Sequence, residues 1–211
     1  MFDPGTINRE TPPADTWFSV GAYDPRQREA EEELVELLGN AGSARASSDI
    51  RSSKWMKLVV NAAEGLPSSI LGMSVVGASQ VPGIREVMAN AGDEAIRTGL
   101  ALGHRSVPIL DTPVDTAAEP AAYARLLLDR VLSHYNSSTT QFAVLQDWVK
   151  GRRGEVDDIS GLVAREQARL GGTAPVNAQL VEIAHQIERG ALSPDPDNAS
   201  LIVTAGATQL G

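Results

Sequence analysis

Apolar residues recur at helical spacing along most of the chain. In 82–103 the stripe is Ile84, Val87, Met88, Ala91 and Ala95; in 175–189 it is Val176, Leu180, Ile183, Ala184 and Ile187. A period near 3.6, with proline at the start and glycine past the end, marks an amphipathic helix. The same signals predict a helix opened by Asp24-Pro25, with Ala30, Leu34, Leu37 and Leu38 as its apolar face and Gly42 as its stop. They predict a second, capped by Ser48 or Asp49 and ended by Pro67, and a short helical piece over 70–76. Further helices are expected over 119–135, packed through Ala122, Leu126 and Val131; over 139–150; and over 155–170, with Ile159, Leu162 and Val163 inward. Strand signals are few. "TWFSVGAY" and "SARASSDI" read as strands, and "SLIVT" in the tail as a short strand or a docking segment. The pattern is that of a mainly α protein.

Composition narrows the function classes. With 211 residues and 42% apolar content the chain can bury a sizeable core. A net charge of −9 argues against nucleic acid or an anionic membrane as the main partner. There is no cysteine, hence no disulfide, thiol nucleophile or thiolate metal site. His104, His134 and His185 match no zinc spacing. No apolar run reaches the roughly 20 residues of a membrane span, and the N-terminus lacks a signal pattern, so a soluble, cytoplasmic protein is expected. No glycine-rich dinucleotide or nucleotide phosphate motif is present.

Two polar constellations stand out. In "KWMKLVVNAAEGLPSS" the polar residues Ser53, Lys57, Asn61 and Glu64 share one face of an otherwise apolar helix. Burial of a lysine is costly unless it is paired, and lowers its pKa. Two readings fit: a lysine lining a cleft as proton donor, with Asn61 on a substrate oxygen, or a Lys57–Glu64 or Lys57–Asn61 pair on a partly exposed edge. In "GRRGEVDDISG", Glu155 reads as a helix-start acid. Arg152 and Arg153 either anchor an anion or pair with Asp157 and Asp158 in solvent.

Together with "LQDWVKGRRGEVDDISG" and "GGTAPVNAQLVEIAHQIE", the block "KWMKLVVNAA" resembles the C-terminal half of the ketopantoate reductase family over residues 21–188. The resemblance includes the lead-in residues Ala41, Gly42, Asp49, Ile50, Lys54 and Trp55. It implies an all-α domain of the ketopantoate reductase and 6-phosphogluconate dehydrogenase type. The expected division is a remnant of the dinucleotide-binding domain over 1–48, running from "PGTI" to "SARASSDI", the helical domain over 49–192 and a tail over 193–211. It also implies Lys57 and Glu155 as the catalytic pair, with Asn61 a turn beyond the lysine and Asp157 keeping the aspartate of an R-x-x-E-x-D segment. Three positions depart from the family pattern: Gly65 replaces a second asparagine, Ala143 a substrate-holding serine and Ser160 an asparagine. The substrate set is therefore Asn61, Glu64, Ser53, Ala143, Gly65 and Ser160.

These features lead to an enzyme without a nicotinamide or other cofactor that performs acid/base chemistry on a small carbonyl substrate: cyclisation, addition, dehydration or isomerisation. The alternatives are a fragment of an NADPH-dependent 2-dehydropantoate 2-reductase and a non-catalytic dimeric binding protein. A homodimer is expected, because two strands alone are marginal; they should pair with each other and be covered by a second subunit or by the tail.

Overall fold

The computed structural model describes Gly5, residues 12–115 and residues 118–207. Strand β1 (Trp17–Val20) leads through a 3-10 turn (Pro25–Gln27) into helix α1 (Arg28–Gly39), and strand β2 (Ser43–Ala46) returns beside β1. The strands are parallel, Trp17 opposite Ser43 and Val20 opposite Ala46. A parallel pair needs a crossover, and α1 supplies it. Asp24 opens the turn as the sequence suggests, accepting the Arg26 N–H at 3.0 Å. The helix stops at Gly39, before Gly42. Its apolar face is not a core face: no residue of α1 is buried, and Leu34 and Leu37 are 47% and 65% exposed.

The remainder is helical: α2 (Ile50–Ile70), α3 (Val75–Ser79), α4 (Ile84–Ala101), α5 (Pro120–Arg130) prolonged by a π turn (Val131–Tyr135), α6 (Ala143–Val149), α7 (Ser160–Arg169), α8 (Pro175–Glu188) and α9 (Ala199–Ala207). Helix α2 is the centre, with Met56, Val59, Val60, Ala63, Leu66 and Ile70 buried against its neighbours. Its N-terminus is closed by Asp49, whose carboxylate accepts from the Ser52 N–H at 3.1 Å, the Ser52 hydroxyl at 2.8 Å and the Arg105 guanidinium at 2.9 Å. The Ser52 N–H, then its hydroxyl, then Arg105 hold the Asp49 pKa down at about 2.

Pro67 does not end α2; the helix runs through it to Ile70. Burial on all sides outweighs one lost N–H, and the Ser68 hydroxyl donates to the Glu64 carbonyl at 2.6 Å. The last carbonyl of α2, Ile70, accepts from Asp195 N–H at 3.1 Å and Asn198 Nδ2 at 3.0 Å. The tail thus caps α2. "SLIVT" belongs to a helix, not a strand, with Ile202 wholly buried; it covers α4 and α8 rather than the two strands.

Helices α2 and α4 meet closely. The Trp55 indole donates to the Ala95 carbonyl at 2.9 Å and stacks on His104 with ring centres 4.9 Å apart. Burial pushes the His104 pKa down. From α4, Glu94 reaches the start of α8 and accepts from Val176 N–H (2.9 Å), Asn177 N–H (2.9 Å) and Asn177 Nδ2 (2.8 Å). The two backbone N–H groups among them are orphans of a helix N-terminus. Glu94→Ala should lower stability by about 2 kcal/mol in urea unfolding, while Glu94→Gln, which keeps an acceptor, should lose less.

The predicted stripes of α4 and α8 are buried as expected. Three others shift. Helix α5 packs through Tyr123, Ala124, Leu127 and Leu128; of the expected face, Ala122 and Leu126 are exposed and Val131, in the π turn, is buried. The helix expected over 139–150 begins at Ala143, because Ser137 and Thr140 bond to each other (2.9 Å) and to local backbone instead. The helix expected over 155–170 begins at Ser160, so Glu155 is not a helix-start acid but lies in the preceding turn.

Candidate active site

The polar stripe of α2 emerges at the junction of the helical body with the β–α–β unit. Lys57 Nζ donates to Asn61 Oδ1 at 2.7 Å, one turn along. One further turn brings Glu64, which is buried and accepts from Asn136 Nδ2 at 2.7 Å. A cleft of about 270 Å³ takes in Lys57 and Glu64, with Asp15, Thr16 and Asn136 completing its polar wall and Trp17, Leu110, Val131 and Tyr135 forming its apolar one.

The electrostatics follow from crowding. The Lys57 side chain has solvent access, but the protein packed around its ammonium lowers its pKa, and Glu64 opposes that shift. Burial raises the Glu64 pKa, against the smaller pulls of Lys57 and the Asn136 hydrogen bond. The two pKa values are thus displaced in opposite directions, the lysine down and the glutamate up, and perturbed pairs of this kind gather at functional sites.

The sign of the stability effect is fixed by that direction. Glu64 costs nothing below the ordinary glutamate range, where it is protonated whether folded or not. As pH rises through its raised folded pKa, the unfolded state is favoured. Glu64→Gln keeps the acceptor for Asn136 and removes the charge. It should stabilise the protein by about 1 kcal/mol at neutral pH, and the gain should vanish below about pH 4 in denaturant titrations.

The cleft wall is itself held in an unusual conformation. Leu110 and Asp111 have φ of +53° and +52°, a left-handed pair without glycine. Arg130 Nε donates to the Leu110 carbonyl at 3.3 Å and Arg45 pairs with Asp111 at 2.7 Å. Such strain of about 1–3 kcal/mol per residue tends to gather at functional sites.

The other expected site residues are dispersed. Ser53 bonds Ser47 (Oγ–Oγ 2.8 Å) and lines a neighbouring cleft of about 230 Å³ that shares Trp17. Gly65 is covered by the Phe142 ring, which fills the space a side chain there would take. Ala143 is exposed at the start of α6, and Ser160 is buried at the start of α7, its hydroxyl without a partner among the described residues. Glu155 is exposed and is not among the residues lining the Lys57 cleft. Asp157 accepts from Arg153 and meets His185 Nε2 at 3.0 Å, so this end of the segment is an ion-pair cluster. Asn136, Tyr135, Trp17 and Leu110 carried no local signal in the sequence; remote chain segments bring them to Lys57.

A nicotinamide dinucleotide does not fit these residues. A pyrophosphate needs a glycine-rich turn and an open helix N-terminus after a strand. Here the helix after β2 is closed by the Asp49 carboxylate, and the helix after β1 carries Glu29 and Glu31 in its first turn.

Among solved structures, the fold is similar to a D-mandelate dehydrogenase solved with NADH and anilino(oxo)acetate (TM-score 0.68, 16% identity, 82% of this chain and 52% of that one). It is similar also to a dimeric ketopantoate reductase from Staphylococcus aureus (TM-score 0.63, 14% identity, 82% and 54%). A 2-dehydropantoate 2-reductase from Archaeoglobus fulgidus is 27% identical over 172 residues, 81% of this chain and 52% of the relative. The chain thus spans about half the length of that curated relative. Among the described residues no helix is long and apolar enough to cross a membrane. The model of the ketopantoate reductase PanE/ApbA C-terminal domain matches residues 49–188, and the chain belongs to that family.

Proposed function

We propose that the cleft performs acid/base chemistry on a small carbonyl compound. The Lys57 ammonium protonates the carbonyl oxygen, and Asn61 aims it. Glu64 takes the proton from the adjacent carbon, so a C–H bond breaks, an O–H bond forms and an enol results. Return of that proton to the same or another carbon completes an isomerisation; addition or dehydration departs from the same enol. The single observation supporting this is that Lys57, held by Asn61 at 2.7 Å, and buried Glu64 line one cleft. Glu64 replaces Glu155 as the base in this reading, because Glu64 lines the cleft.

Proton exchange tests it directly. Pyruvate and 2-oxobutanoate in D₂O should lose their C3 proton signals in NMR faster with the protein than in buffer, and Glu64→Gln should abolish the gain. No gain over buffer, or full exchange by Glu64→Gln, overturns the assignment.

Family membership favours a second reading, in which this chain is the proton-donating half of a 2-dehydropantoate 2-reductase. Oxidation of NADPH with added 2-dehydropantoate, seen only when the chain is mixed with a separately supplied dinucleotide-binding half of such a reductase, would favour it over the first.

A further inference from the structure

Helix α1 is unusual for a globular protein: twelve residues, none buried. Its outward stripe is Ala30, Leu34 and Leu37, at i, i+4 and i+7, the spacing of a helix that docks into a groove. Five glutamates (Glu29, Glu31, Glu32, Glu33 and Glu36) surround the stripe. Glu31 is occupied by the Ala22 N–H and Glu32 by Arg28, while Glu33, beside Leu34 and Leu37, has no ion pair among the described residues. Two copies of α1 therefore repel each other and do not pair face to face.

A groove of the opposite character lies between the end of α6 and the end of α8. It has about 500 Å³ and is lined by Trp148, Val149, Arg152, Ile187, Leu192 and Pro194. Val149 is 76% exposed, the most open large apolar side chain among the described residues. Its one carboxylate, Glu188, is engaged by the Gly154 N–H at 3.0 Å and the Trp148 indole at 3.3 Å. Arg152, and Lys150 beside it, have no carboxylate partner among the described residues. In a chain of net charge −9 these unpaired cations stand beside an apolar groove, and the acidic helix carries an apolar stripe.

We infer that a second copy of this chain fills the groove: α1 of each protomer docks between α6 and α8 of its partner, in a closed two-fold pair. Leu34 and Leu37 enter against Trp148, Val149 and Ile187, and Glu33 faces Arg152. The reciprocal arrangement makes the contact twice, which matters because a single helix-in-groove contact is small for a stable interface. Local attraction between opposite charges offsets the net repulsion of two acidic molecules, so salt weakens the pair.

The test is mass in solution, by light scattering at tens of micromolar. The parent chain should be a dimer. Leu37→Glu and Arg152→Glu should each weaken association at least tenfold with unchanged circular dichroism, since both side chains are exposed. The charge-exchanged double variant Glu33→Arg/Arg152→Glu should recover the dimer. A monomeric parent, a dimer indifferent to Leu37→Glu, an open-ended polymer, or failure of the double variant to recover would overturn the assignment.

Discussion

Lys57→Met is expected to lower C3 proton exchange, or turnover of any substrate found for the cleft, by about 10²–10⁴-fold, the usual worth of a positioned proton donor. Methionine keeps the length of the side chain and removes the ammonium. The loss should fall on turnover more than on binding, because a neutral carbonyl gains its proton only as the reaction proceeds. The pH profile gives a second readout. The proposed reaction needs Lys57 protonated and Glu64 ionised. With the lysine pKa lowered and the glutamate pKa raised, the active window is narrower at both edges than the free side chains would allow. Stability should change little at neutral pH, because Glu64, deprived of its cation, can take up a proton instead of holding a buried charge. A Lys57→Met variant that keeps parent-level turnover with the parent pH profile would remove Lys57 from the mechanism.

Gly99→Ala should produce the largest loss of stability, about 3 kcal/mol. Gly99 lies on α4 against the indole of Trp55, and a methyl group there overlaps the ring. Because Trp55 is clamped by its bond to the Ala95 carbonyl and its stack on His104, it has no room to yield. Overpacking a rigid site costs about 1–3 kcal/mol, and displacing a hydrogen-bonded indole adds to it. The check is chemical denaturation. Trp55→Phe in the Gly99→Ala background should recover part of the loss, since the smaller ring relieves the overlap. If Gly99→Ala unfolds at the parent midpoint, the contact between α2 and α4 is not tight.

The difference between what was legible in the sequence and what was not has a physical origin. Helices α4 and α8 were readable because period, opening proline and closing glycine agree. Asp49 was readable as a cap because capping is local. The failures come from remote contacts. Pro67 reads as a stop, but α2 is enclosed by the core and continues. The stripe of α1 reads as a core face, yet Leu34 and Leu37 stay exposed among the described residues and only Leu38 is half-buried. In α5 the apolar register was misplaced because Ala122 and Leu126 mimic the period of the face set by Tyr123 and Leu127. The site divides in the same way. Lys57, Asn61 and Glu64 lie on one helix, so spacing alone groups them. Asn136, Tyr135 and Trp17 reach the cleft through tertiary packing, and no spacing rule connects them to Lys57.

The π turn at the end of α5 carries an evolutionary consequence. There the Asn136 N–H reaches back five residues to the Val131 carbonyl, at 2.9 Å, instead of four. Such a turn holds one residue more than an α-helix needs. Deleting a single codon between Val131 and Tyr135 would restore the regular helix and rotate everything after it by about 100°. Tyr135 and Asn136 would swing off the cleft wall together, and Glu64 would lose the Asn136 amide that donates to it. A one-residue length change in this segment is thus a single genetic step that rebuilds one wall of the cleft while leaving α2, and Lys57 on it, untouched.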